Sequence, residues 1–132
     1  MCLYTKQRHP KVAEKDIVVY KVLDQRMGSP YYGLLYPLNE KRTSILKNYD
    51  WKWEEAGHKV YDVEEGLHAY TKRMAAYVKR HYLNRCDSEK DFTTYSVYKA
   101  IIPKGAKYYI GLDNDIASDA LIVKRKLWLN LF

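Results

Sequence analysis

The chain is short of the residues that announce most chemistries. Only two residues are Cys and two are Phe. Cys2 and Cys86 are far apart and form no CxxC pair, so neither a disulfide scaffold nor a cysteine zinc site is expected. The four histidines, His9, His58, His68 and His81, also lack metal-ligand spacing. No G-x-S-x-G, P-loop or G-x-G-x-x-G motif occurs, which disfavours nucleophile-elbow hydrolases, P-loop enzymes and Rossmann dehydrogenases. Asp113-Asn114-Asp115 resembles the start of a calcium loop but lacks its glycine and distal glutamate; turn chemistry accounts for it. No uncharged run approaches the roughly 20 residues of a membrane span. Met1–Pro10 has no apolar core of signal-peptide length. The expectation is a cytoplasmic protein with no membrane partner, no metal and no resident cofactor.

What is abundant is positive charge and tyrosine. Lys and Arg number 23 against 16 Asp and Glu, a formal charge of +7. That balance favours anionic partners such as nucleic acid, nucleotides or an acidic protein surface, and it also serves solubility. Fourteen residues are Tyr. A core needing only bulk would use Phe as freely; Tyr suits positions with one wet end, at a core edge or in a cleft.

At 132 residues the chain reads as a single domain, 1–132, with residues 1–15 as a polar N-terminal arm. Asp16–Leu23 is a nearly continuous apolar run and predicts a central strand. Met27–Pro30 is a turn, and Tyr31–Pro37 a short irregular strand interrupted by Gly33 and Pro37. Residues 38–57 are ambiguous. Trp51-Lys52-Trp53 has strand spacing with both indoles on one face, while a short helix over Ser44–Tyr49 is the competing choice. Lys59–Val63 is a strand.

Lys72–Arg85 predicts an amphipathic helix with Thr71 as N-cap. Its apolar stripe is Met74, Tyr77, Val78 and His81, with Lys72, Arg73, Lys79 and Arg80 on the opposite face. After an acidic loop, Cys86–Asp91, three strands follow: Thr93–Ile102, Ala106–Leu112 and Ala120–Trp128. Pro103-Lys104-Gly105 and Asp113-Asn114-Asp115 make hairpin-like links. The fold class is therefore α+β: an antiparallel sheet with a C-terminal β-meander and one main amphipathic helix packed on it.

Candidate ligand contacts follow from this arrangement. His68 follows Gly66 and precedes the helix, a plausible ligand-facing place and equally a plausible structural one. Lys72, Arg73, Lys79 and Arg80 offer cations, and Lys104 and Lys107 lie at the Pro-Lys-Gly turn. Tyr108 and Tyr109 beside that turn could stack on a flat ring.

The Met-Cys-Leu-Tyr-Thr start, Tyr20–Leu23, the Gly66-Leu67-His68 box, Ile102–Gly105 and Ser118-Asp119 resemble a small family of uncharacterised proteins from gut Bacteroidales and their phages. The resemblance implies a phage or mobile-element accessory protein and carries no activity. A weaker resemblance is to ADP-ribosyltransferases, whose Glu-x-Glu motif precedes a final apolar strand. Ala117-Ser118-Asp119 occupies that place here. Asp119 stands for the catalytic glutamate and Ala117 for its partner acid, Tyr20-Lys21 stands where an Arg or His is usual, and Ser29 is the nearest counterpart of the middle serine. Two expectations stay open. One is a binding protein for an anionic ligand, a nucleotide or oligonucleotide, or for a host protein in the role of a host-defence antagonist. The other is an NAD-using transferase or a degenerate relative, with Asp119 catalytic.

Overall fold

A computed structural model describes residues 3–30, 34–91 and 93–128. Among them, eleven strands and one helix run in the order β1 (Leu3–Thr5), β2 (Lys11–Val12), β3 (Ile17–Asp24), β4 (Lys41–Thr43), β5 (Lys47–Glu55), β6 (His58–Glu65), β7 (Leu67–Tyr70), α1 (Arg73–Asp91), β8 (Tyr95–Ile102), β9 (Lys107–Ile110), β10 (Asp115–Ser118) and β11 (Ala120–Leu127). The fold is the expected α+β arrangement of antiparallel strands carrying one helix. An eight-stranded sheet has the order β2-β9-β10-β7-β3-β8-β11-β4, and a second sheet has the order β1-β6-β5.

The larger sheet cannot be flat. β10 and β11 stand four places apart in it, about 19 Å at the usual strand spacing. Asp119 alone joins them, and two Cα steps reach at most about 7 Å. The sheet must roll until those strand ends meet. Asp119 fixes the closure: its N–H donates to Lys107 O (3.0 Å), its O accepts from Ser44 N (2.9 Å) and its Oδ1 accepts from Lys107 N (2.9 Å). Val19, Leu23, Leu67, Ala69, Ala100, Ile102, Ile116, Leu121 and Val123 fill the roll. They come from alternate positions of their strands, as the two-residue period requires.

Two layers cover the outside. Helix α1 packs over Val22, Tyr95, Val97 and Leu127, while Leu3 and Val63 of the second sheet pack on Tyr109 and Ala117. From Tyr20 onward β3 is thus covered on both faces, whereas Val18 stays 45% exposed.

Several expectations change. The N-terminal arm lies on the fold as two short strands. Leu3 is fully buried, Thr5 Oγ1 donates to Ile110 O (2.6 Å), and β1 and β2 are paired strands. The short helix over Ser44–Tyr49 does not form, because Lys47–Glu55 pairs with β6 through three register shifts. The Trp51 side chain, and with it the shared indole face, lies outside the described residues, as do Tyr31–Gly33 of the proposed short strand. Helix α1 continues through Cys86–Asp91, which is therefore not a loop. Lys72 O accepts the first helical bond, from Ala76 N, so Lys72 rather than Thr71 holds the N-cap position.

The helix stripe is also rotated. Ala76, Tyr77 and Leu83 are buried, whereas Met74, Val78 and Tyr82 are more than half exposed. Alanine at 76 lets the helix approach the sheet closely, which outweighs the larger apolar volume of Met74 and Val78. Asn84 helps fix this orientation: its Oδ1 accepts from Tyr95 N (2.7 Å) and its Nδ2 donates to Tyr95 O (3.2 Å). The C-terminal third holds four antiparallel strands, not three. β9 and β10 form a hairpin across Asp113–Asn114, while β8 pairs with β11 and β3. Pro103–Ala106 therefore bridges two parts of the rolled sheet instead of closing a hairpin.

Candidate functional site

Among the described residues, Lys21 is the one cation inside the roll. It lies between Val19 and Leu23 on their face of β3 and is 3% exposed. The β3–β7 ladder is registered only at Tyr20↔Tyr70, and beside that seam the Lys21 ammonium donates to His68 O. Its Nζ sits 4.9 Å from the centroid of the Tyr36 ring, a cation–π placement. Tyr36 is held there by the turn after β3: Asp24 Oδ1 accepts from Arg26 N and Gly28 N (both 2.8 Å), and Tyr36 N donates to Met27 O (2.8 Å). Burial alone pushes the Lys21 amine down to about 7, because a low-dielectric site penalises the charged form. The same effect pushes Tyr36 up to about 12, against the opposing Arg42 charge.

On the outer side of the seam, His68 Nε2 lies 3.6 Å from Asp115 Oδ2, within ion-pair range and too long for a full hydrogen bond. Tyr70 meets the imidazole edge-on with centroids 4.9 Å apart. Burial lowers the His68 pKa; the Lys21 and Lys79 charges act the same way, and Asp115 opposes them. Asp115 reaches this position because residue 111 is glycine. A Cβ there would lie 1.9 Å from Asp115 Oδ1 and 3.0 Å from Leu3 Cγ. Lys21, Val22, Pro30, His68, Tyr70 and Lys79 enclose a cavity of about 10 Å³. The Lys21 amine and the His68 imidazole, each biased by burial toward its neutral form, thus border a space on the scale of one water. No organic substrate fits it.

Among the described residues, no three His, Cys, Asp or Glu side chains gather as metal ligands, and no helix is long and apolar enough to cross a membrane. No protein-family model, curated protein or solved structure matches the chain.

The anticipated contacts divide among separate places. His68 and Lys79 line the cavity. Lys79 and Arg80 do not face away from the sheet; both are half-buried, and Arg80 packs 5.9 Å from the Tyr77 ring. Lys72 and Arg73 are exposed at the helix start, Arg73 lying 5.7 Å from the Tyr20 ring. Tyr109 is 3% exposed and packs against the second sheet, so it cannot stack on a ligand. Lys107 is exposed on β9.

Lys104 borders one open cleft and Tyr108 another. The first, of about 370 Å³, is lined by Lys41, Thr43, Ser44, the Pro103–Ala106 turn, Asp119 and Ala120. The second, of about 830 Å³, is lined by Lys11, Val12, Glu14, Lys15, Ile17 and Tyr108. The turn is pinned by Lys104 N to Asp16 Oδ1 and by Gly105 N to Ala13 O, both 2.8 Å. Sequence reasoning named Lys21 only within the transferase resemblance and Asp115 only as turn chemistry, and it missed Tyr36, Lys11, Lys15 and Lys41. Only Lys21 had a readable signal: it is the one charge inside the apolar run Ile17–Leu23.

Proposed function

We propose that the protein is a binding module for an anionic ligand with a flat ring, a nucleotide or short oligonucleotide, seated at the rolled sheet's Pro103–Ala106 end. One observation carries this reading. Lys11, Lys15, Lys41 and Lys104, from three separate chain segments, line two open clefts, the smaller of them floored by the pinned Pro103–Ala106 turn. The smaller cleft is of the size that holds a small organic ligand. Of the nearby acids, Asp16 and Asp119 already accept backbone N–H groups, which lessens their opposition to an anion, while Glu14 lines the larger cleft beside Lys11 and Lys15. Tyr108 supplies a ring for stacking, and lysine–phosphate contacts supply salt-sensitive affinity. An accessory role in a phage or mobile element, against a host factor, is compatible with such a module.

The transferase alternative draws less support. Asp119 Oδ1 is engaged by Lys107 N, and Ala117, at the partner-acid place, is fully buried. Titration calorimetry at low ionic strength with mononucleotides, NAD and short single strands tests the proposal. Binding should weaken with added salt and fall at least tenfold in the Lys41→Glu/Lys104→Glu double variant. No heat with any of these ligands, or affinity unchanged in the double variant, would refute it. Release of nicotinamide from NAD would favour the transferase instead.

A further inference from the structure

We propose that the outward face of α1 is a docking surface for an acidic amphipathic helix of a partner protein. The inner face is already committed: Ala76, Tyr77 and Leu83 pack on the sheet. Met74, Val78 and Tyr82 point away from it, each more than half exposed. They stand four residues apart, the spacing that builds a continuous ridge along a helix. Ala75 is short, so the ridge stands clear on that side. On the other side, Arg73, His81 and Arg85 belong to the adjacent ridge of the same spacing, and all three are exposed. The Lys79 Nζ lies 5.5 Å from the Tyr82 ring. No acid occurs between Glu65 and Asp87. The face is therefore an apolar ridge beside a basic one, with no acid of its own.

Each feature narrows the occupant. A ridge of this spacing seats in the matching groove of a second helix, the commonest helix packing, and amphipathic helices are bound through such i, i+4 anchors. Methionine adapts its shape to what it meets. The basic ridge selects Asp and Glu beside the partner's apolar residues. A second copy does not satisfy it, because overlap of two such faces sets Arg73, His81 and Arg85 against basic side chains. A membrane surface is met by a broad apolar face, whereas this ridge is one residue wide. A phosphate backbone would engage the basic side chains and leave Met74, Val78 and Tyr82 in water. From Met74 to Arg85 the face runs for about 16 Å, so about three turns of a partner helix cover it. None of these residues lines either cleft, so the surface is independent of the proposed ligand site.

The test is fluorescence anisotropy of a labelled synthetic peptide titrated with the full chain. The peptide is an alanine-based helix of about 18 residues, with leucines four apart and glutamates in the adjacent row. The expected result is a one-to-one complex that weakens as salt is added. Met74→Glu/Val78→Glu and, separately, Arg73→Glu/Arg85→Glu should each weaken it about tenfold or more. All four positions are exposed, so both variants should melt with the wild type. Lys41→Glu/Lys104→Glu should bind the peptide unchanged. No binding of the peptide overturns the proposal. So does equal binding by both helix variants, or equal binding of a peptide with lysine for glutamate or alanine for leucine. Wild-type dimerisation in the ultracentrifuge, or co-sedimentation with phosphatidylcholine–phosphatidylserine vesicles, lost in Met74→Glu/Val78→Glu, would assign the face to a second copy or to a membrane and overturn the proposal as well.

Discussion

Raising the pH from about 7 to about 9 should stabilise this fold by about 2 kcal/mol, most of it through Lys21. In the unfolded chain Lys21 holds its proton up to 10.5, and in the folded chain it releases it near 7. Between those values the unfolded state binds more protons, so stability rises with pH at up to about 1.4 kcal/mol per unit. The whole window is worth at most about 5 kcal/mol. His68 adds in the same direction at lower pH. Its pKa is lowered by folding, so its contribution is lost as pH falls below its ordinary value. Tyr36 sets the upper bound. Its hydroxyl ionises from about 10 when unfolded and about 12 when folded, so stability falls again above about pH 10. The predicted maximum is therefore unusually alkaline.

Urea unfolding followed by tryptophan fluorescence at several pH values measures this directly. In Lys21→Met the rise should disappear. That variant loses the donor to His68 O, at about 1–3 kcal/mol, but carries no ionisation penalty at neutral pH. Wild-type stability that is flat or falling between about pH 7 and 9, or an equal rise in Lys21→Met, would refute the reasoning.

Two further outcomes follow from the packing. Gly111→Ala places a Cβ 1.9 Å from Asp115 Oδ1 and 2.8 Å from its Cγ; the expected loss is about 1–3 kcal/mol, read as a lowered melting temperature together with a changed His68 titration as Asp115 is displaced. Leu83→Ala and Val78→Ala together test the rotated helix face: Leu83 is 8% exposed and Val78 63%, so the first should cost about 2–4 kcal/mol and the second less than about 0.5 kcal/mol, and comparable losses would restore the stripe expected from the sequence.

The sequence made the central strand and the helix legible because their signals are local. Ile17–Leu23 is apolar on both faces except at Lys21, and both faces are covered from Tyr20 onward. The helix stripe was misread because periodicity weighs side-chain size. The structure instead uses Ala76 for close approach and Asn84 to hold Tyr95 N. β1 and β2 were invisible for another reason: they are only three and two residues long and are specified by distant partners, Val63 for Leu3 and Tyr108 for Lys11. The same holds for the clefts. Lys11, Lys15 and Lys41 become neighbours of Lys104 only when Asp119 closes the roll, and no spacing in the chain encodes that. His68 was readable as an unusual position, whereas its partner Asp115 looked like turn chemistry and is both turn and partner.

Lys21 is the place where stability and residue identity disagree. A methionine or leucine would fill the interior of β3 between Val19 and Leu23 without any ionisation penalty, and apolar replacement of buried charge is often neutral or stabilising. The lysine's structural returns are a hydrogen bond to His68 O, at a seam with a single registered pair, and the Tyr36 ring 4.9 Å from its Nζ. The cavity shares no lining residue with the two clefts, so charge reversal at Lys41 and Lys104 leaves it intact and Lys21→Met leaves both clefts intact. Nucleotide binding at the clefts and the alkaline rise in stability from Lys21 therefore stand or fall separately.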